Sequence, residues 1–318
     1  MTNKVNGRSA SDVGQTRHAR PQEYKVVAMT TSEFLEEPFP AREMLMYPWL
    51  PKQGLAMVFA PRGVGKTFFS LSVAHAVATG QPLGHWTTPK KWKVLYIDGE
   101  MPAREMQDRL KEIANTESDI SLSIITPDVQ PLGMPDLSTI SGQAAIAEHV
   151  AWADLIVVDN LSTLSRTGKE NEAESWTPIQ EWALFQRSRG KTILFVHHAG
   201  KGGMQRGSSR KEDVLDTVIA LRHANDYSPD KGAEFELHFE KNRGFYGEEA
   251  KAIHMRYVEG SWIFQTAGES TYERTIALYL QGKKQTEIAE VLGVHPSTVS
   301  RNLQKAQKEG RLHIAPTI

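Results

Sequence analysis

Residues 54–79 read GLAMVFAPRGVGKTFFSLSVAHAVAT: an apolar run, a glycine-rich turn ending in Gly65, Lys66 and Thr67, and a stretch of helix formers. No other segment narrows the fold as far. A strand that breaks at glycines and restarts as a helix presents backbone amides and the positive end of a helix dipole, which together make an anion cradle. Ala60 stands where the motif's first glycine is usual, a minor departure because the amides from Arg62 to Thr67 form the cradle itself. Pro61, Arg62, Gly63, Val64, Gly65, Lys66, Thr67 and Phe68 are the expected nucleotide-binding residues. Lys66 would supply charge to the β- and γ-phosphates, and the Thr67 hydroxyl would ligate magnesium.

The neighbouring segments fit one sheet. Short β-rich runs at 54–60, 94–98 (VLYID), 155–159 (LIVVD) and 192–197 (TILFVH) alternate with helical stretches, the pattern of a largely parallel sheet covered by helices. In such sheets ligands bind beyond the carboxyl ends of the strands. Asp159 closes one of these strands and could hold magnesium; a strand-end cap is the alternative. Glu100, in DGEMP after another strand, could polarise an attacking water, with Asp98 or a plain helix-start glutamate as the competing interpretations. After Val214 the pattern changes to DTVIALR, EFELHFEK, AIHMRY and SWIF, successive strands joined by turns.

Beyond a linker at 266–271 come three short helical patterns, so the chain divides into a polar tail (1–27), an α/β core (28–267) and a small helical domain (268–318). Residues 285–312 resemble a helix-turn-helix, with Ile288, Ala289 and Leu292 on one apolar face and Val294, Val299 and Leu303 on the other. Pro296 suits the first helical position, which would expose Ser297, Thr298, Ser300 and Arg301 to base edges in the major groove of duplex DNA, and Lys305 and Lys308 to phosphates. From Ser270 onward seven Lys or Arg face four Glu, although the whole chain carries a net charge of −1. A helical bundle for protein contacts is the alternative. The absence of cysteine excludes disulfides and thiolate metal sites; no apolar run nears the roughly 18 residues of a membrane span, and a cytoplasmic location is expected.

Five segments in order, APRGVGKT, YIDGEMP, LIVVDN, FVHHAGKGG and RGSS at 206–209, resemble the RecA-like hexameric ATPases, nearest to the plasmid replicative helicases of the RepA type and more distantly to DnaB, over about residues 40 to 265. The resemblance implies a RecA-like P-loop core that binds ATP and Mg2+, Glu100 as catalytic base, and His197 and His198 at the end of a γ-phosphate-sensing strand. It also implies a homo-hexameric ring whose sites each receive a cation from the neighbouring subunit. EKNRGFYG (240–247) is similar to the K-x-R segment of DnaB-type helicases and makes Lys241 and Arg243 the candidates. Asp216 occupies the position where the RepA type carries an essential arginine, which leaves Arg206, Arg210 and Arg222 as alternatives. Residues 162–175 and 199–211 match loops that line the channel and grip single-stranded DNA, the second made basic by Lys201, Arg206, Arg210 and Lys211. The expectation is a DNA-dependent ATPase and replicative helicase of a mobile element. The alternatives are a recombination or repair ATPase of the RecA class and an ATP-switched DNA-binding regulator.

Overall fold

The computed structural model describes residues 26–114, 121–166, 173–200, 212–223, 227, 232–266, 271–292 and 294–312. Contacts divide the chain into residues 1–41 and 42–318. In the first unit a helix, α1 (Thr31–Glu36), starts at a capping box: Glu33 N donates to the Thr30 hydroxyl at 3.3 Å and Thr30 N donates to Glu33 Oε2 at 2.7 Å. Residues 1–25 of the expected tail lie outside the described residues.

The second unit opens with a ribbon of β1 (Met44–Met46) and β2 (Leu50–Pro51), then builds a nine-stranded sheet. Six parallel strands form one side of it: β3 (Leu55–Ala60), β4 (Val94–Asp98), β5 (Leu122–Ile125), β6 (Leu155–Asp159), β7 (Thr192–His198) and β8 (Thr217–Arg222). Three antiparallel strands, β9 (Glu234–Asn242), β10 (Ile253–Val258) and β11 (Ser261–Thr266), extend it, giving the spatial order β11-β10-β9-β8-β3-β7-β6-β4-β5. The central strands are apolar on both faces because helices cover both. Ala56, Val58, Leu194 and Val196 pack with α2 (Lys66–Thr79) and α3 (Ala103–Ile113). Leu55, Met57, Ile193 and Phe195 pack with α5 (Ala147–Trp152), α6 (Leu161–Leu164) and α7 (Ala173–Ser188) on the other side. A further short helix, α4 (Ile140–Ala145), precedes α5.

The connection from β3 through α2 to β4 passes over β7 and β6, so chain direction reverses across the sheet at β3. The carboxyl ends of β3, β7, β6 and β4 open there into a crevice, the usual ligand position of a doubly wound sheet.

Residues 271–312 close a core of their own. α8 (Thr271–Leu280), α9 (Gln285–Leu292) and α10 (Pro296–Lys308) bury Ile276, Ile288, Ala289, Val299, Leu303, Ala306 and Leu312 together. Among the described residues no helix is long and apolar enough to cross a membrane.

A candidate nucleotide site at the carboxyl ends of the strands

The turn from β3 into α2 needs backbone angles that side chains resist. Gly63 has φ +82° and Gly65 has φ +109°, and a Cβ on Gly65 would also meet the Phe235 ring at 3.4 Å. Gly65 caps α2 without a side-chain partner, leaving the first amides of the helix for a ligand. Val64 is buried and anchors the loop, whereas Pro61, Arg62 and Gly63 are exposed. Lys66 is nearly buried, and burial lowers its pKa against the opposing charges of Asp159 and Glu100. Phe68 packs its ring edge-to-face on Tyr257 of β10, 4.5 Å between centroids.

Asp159 and Asp98 stand level on adjacent strands. Asp159 is buried; burial raises its pKa, and the Tyr96 and Thr67 hydroxyls and the Lys66 charge pull it down. Thr67 and Asp159, expected on sequence grounds as the metal pair, line the same cleft. Their donor set, one hydroxyl and one carboxylate, fits Mg2+, an ion that keeps waters and phosphate oxygens among its ligands. No group of three or more His, Cys, Asp or Glu side chains among the described residues could hold a metal ion.

Asp98 lines the cleft and also holds the turn. Its carboxylate accepts from Glu100 N at 3.2 Å, from Met101 N at 3.1 Å and from the Thr126 hydroxyl at 3.3 Å, and burial pushes its pKa up to about 6. That turn projects Glu100 over the crevice, where Asn160 Nδ2 donates to Glu100 Oε2 at 2.6 Å. The Asn160 side-chain oxygen Oδ1 meanwhile accepts from Ser162 N at 3.0 Å and Thr163 N at 3.3 Å, capping α6. Lys66, Thr67, Asp98, Glu100 and Asp159 all line one cleft of about 670 Å³.

The two histidines part company. Strand alternation puts His198 on the face of Val196, with α2, and its Nε2 lies 3.8 Å from Glu100 Oε2. His197 shares the parity of Phe195 and turns to the face covered by α7.

Lys241 and Arg243 stand elsewhere. Asn242 pairs with Thr217, which pairs with Ala56, so both lie at the amino ends of the parallel strands. That is about 13 Å or more along β3 from the phosphate loop. Lys241 Nζ donates to the carbonyl oxygens of Glu212 and Asp213, and Arg243 Nη2 reaches the Asp213 carbonyl at 3.4 Å. At this same end Asp216 is a buried anchor: it accepts from Leu55 N at 3.0 Å and holds Arg42 at 3.2 Å and Arg187 at 3.7 Å. Arg222, at the other end of β8, pairs with Glu240. Lys201, Arg206, Arg210 and Lys211, with the RGSS segment and most of the second DNA loop, lie outside the described residues, as do 167–172 of the first.

In the helical module Ser297, Arg301 and Lys305 are exposed and Ser300 is half-buried. Thr298 corrects the sequence expectation: it is only 8% exposed, because it falls on the flank of α10 that carries Val299 into the core. His295 caps α10, accepting from Ser297 N at 3.3 Å. Lys305 sits 4.8 Å above the Tyr272 ring.

Tyr96, Asn160, Arg109 and Tyr257 were not singled out from the sequence. Tyr96 carried a signal, since a tyrosine amid aliphatic residues in a buried strand needs a partner for its hydroxyl. Arg109 and Tyr257 line the cleft from α3 and β10, and nothing local in the sequence marks them.

A family model described as an AAA domain matches residues 19–204, more than half of the chain. The chain belongs to the AAA domain family. With the sheet order and the cleft, the match makes the core a RecA-like P-loop ATPase fold. A second model, a homeodomain-like domain, matches residues 274–313 of this AAA protein and supports the helix-turn-helix at its carboxyl side. Among solved structures, a KaiC-like protein from Pyrococcus horikoshii OT3 is similar at 16% identity, over 70% of this chain and 93% of that one, with a TM-score of 0.48. No curated protein matches.

Proposed function

We propose that this AAA protein is an oligomeric, DNA-dependent ATPase, a replicative helicase of a mobile element that couples ATP hydrolysis to movement along single-stranded DNA. The observation that carries the hydrolytic part is the grouping of Lys66, Thr67, Asp159 and an oriented Glu100 around one cleft. Lys66 offsets charge on the β- and γ-phosphates, and the amides from Arg62 to Thr67 hold them. Thr67 and Asp159 would hold Mg2+, which when bound neutralises charge building on the phosphate oxygens. Glu100 accepts a proton as water attacks the γ-phosphorus and the bond to the β-phosphate oxygen breaks, giving ADP and phosphate. Asn160 fixes the carboxylate for that step, and His198 links its position to the end of β7, where the basic 199–211 segment begins.

The oligomeric part of this reading assigns Lys241 and Arg243 to a neighbouring subunit's site. They stand at the far end of the strands from their own phosphate loop, and on this reading they serve a neighbour's nucleotide, as a trans-acting finger in a ring of six would. The homeodomain-like match supports duplex docking through Ser297, Arg301 and Lys305, and is the ground for a second reading as an ATP-switched DNA-binding regulator. Strand displacement on a forked substrate separates the two. The helicase reading expects ATP-dependent unwinding that stops in Lys66→Ala; ATP-dependent duplex binding with no unwinding would favour the regulator.

A further inference from the structure

Behind the metal-side carboxylate lies a connected set of hydroxyls that the hydrolytic reading does not use. Tyr96 on β4 is fully buried, and its hydroxyl is 2.7 Å from Asp159 Oδ2 and 3.0 Å from Ser70 Oγ on α2. Ser70 Oγ in turn lies 2.9 Å from the Lys66 carbonyl oxygen and 3.1 Å from that of Thr67. Proton counting gives the set a direction. An ionised carboxylate only accepts, so the single Tyr96 proton goes to Asp159, and Ser70 divides its own between the Tyr96 oxygen and the helix carbonyls. Thr67, at the start of α2, lines the cleft together with that carboxylate. The result is a continuous run of contacts from Asp159 through Tyr96 and Ser70 to the first turn of α2.

We infer that Tyr96 is a positioning residue for magnesium, fixing the Asp159 carboxylate against Thr67 while Ser70 ties Tyr96 to the phosphate-loop helix. Groups that hydrogen-bond to a ligand rather than to the metal commonly set its affinity by about 10- to 100-fold. Here the carboxylate has two oxygens and one is occupied by Tyr96, so the hydroxyl decides which oxygen and which orientation the ion meets. Without it, Asp159 can rotate about its terminal bond and loses its alignment with Thr67. The phosphate cradle is built from other atoms, the amides from Arg62 to Thr67 and the Lys66 ammonium, so nucleotide binding without metal stays as it is.

The inference rests on the nucleotide-site reading, and the test keeps the two apart. A fluorescent ADP analogue is titrated into the full-length chain, in EDTA and over a series of Mg2+ concentrations, for wild type, Tyr96→Phe and Ser70→Ala. The expected result for Tyr96→Phe is a Mg2+ half-saturation point raised about tenfold or more, with affinity in EDTA changed less than about twofold. Ser70→Ala, which leaves the Tyr96–Asp159 bond but frees Tyr96 from α2, should move the half-saturation the same way by about threefold. A purely structural tyrosine would weaken binding equally with and without Mg2+, and that outcome overturns the inference, as does an unchanged half-saturation in Tyr96→Phe. Should Tyr96→Phe fail to fold, Ser70→Ala decides, and a wild-type half-saturation there is again contrary. Wild-type chain that binds no nucleotide, or binds it without regard to Mg2+, contradicts the nucleotide-site reading instead.

Discussion

Gly99 sits between the turn-holding Asp98 and the base Glu100, and replacing it with alanine tests whether the position of Glu100 is set by close packing. Its amide donates to the Asp159 carbonyl oxygen at 2.7 Å, which pins the turn to β6. A Cβ added there would stand 2.4 Å from Thr163 Oγ1, 2.8 Å from Leu164 Cγ and 3.0 Å from Leu164 Cδ2. None of these neighbours can yield easily. Leu164 is fully buried, and the Thr163 hydroxyl donates to the Asn160 carbonyl at 3.1 Å. Inserting one carbon into a packed region costs about 1–3 kcal/mol. At roughly 2–4 °C per kcal/mol for a chain of this size, the melting temperature should fall by about 2–12 °C. The alternative to that strain is a shift of the turn by several tenths of an ångström or more, which carries Glu100 away from Asn160. A displacement near 1 Å costs about a hundredfold in turnover. Gly99→Ala should therefore lower kcat by about that factor while the affinity for nucleotide, set by the phosphate loop, stays within about twofold of wild type. Steady-state phosphate release, a nucleotide titration and a thermal melt measure all three. Wild-type melting and wild-type kcat together would refute the reasoning.

Three further outcomes follow from the same geometry. Burial pushes Asp98 up to about 6 from 3.8, so the folded state binds this proton more tightly than the unfolded chain does; its contribution to stability is full below about pH 4 and is lost as pH rises toward 6. Urea titrations across that window should show a decline in wild type that Asp98→Asn lacks, and parallel profiles would contradict the assignment. Arg243→Ala should lower ATP hydrolysis by at least about a hundredfold, and mixing it with Glu100→Gln chains should restore part of the rate, because some interfaces then pair an intact base with an intact cation; no rescue would point to Arg206 or Arg210. In the helical module Arg301→Ala should cost about 1–3 kcal/mol of sequence discrimination, whereas Lys305→Ala should weaken all duplexes alike and flatten the salt slope by about one, measured by fluorescence anisotropy at several salt concentrations.

The phosphate loop was legible because its requirements are local: two glycines at positive φ, a lysine and a hydroxyl at the start of a helix. Asp159 and Glu100 were legible as strand-end carboxylates, and the strands themselves because burial on both faces leaves continuous apolar runs such as LIVV. The short edge strand β5 has only one buried residue and gave no comparable signal. What sequence spacing could not supply was facing. The pair His197 and His198 reads as a unit until strand alternation sends the two rings to opposite faces of the sheet. Thr298 reads as part of an exposed helix start until the packing of α10 turns it inward. Asn160 and Tyr96 act through partners some 60 residues away in sequence, Glu100 and Asp159 respectively, and only the pairing of β4 with β6 brings them together.

The central claim is that Lys66, Thr67, Asp159 and Glu100 form one ATP-hydrolysing site, and the most direct test is nucleotide binding and hydrolysis measured side by side on wild type, Lys66→Ala and Glu100→Gln. Lys66→Ala should lose hydrolysis through loss of phosphate charge compensation. Glu100→Gln keeps its shape but cannot take the proton, so it should bind ATP with Mg2+ at close to wild-type affinity and turn it over at least about a hundredfold more slowly. Near-wild-type turnover by Glu100→Gln would contradict the account.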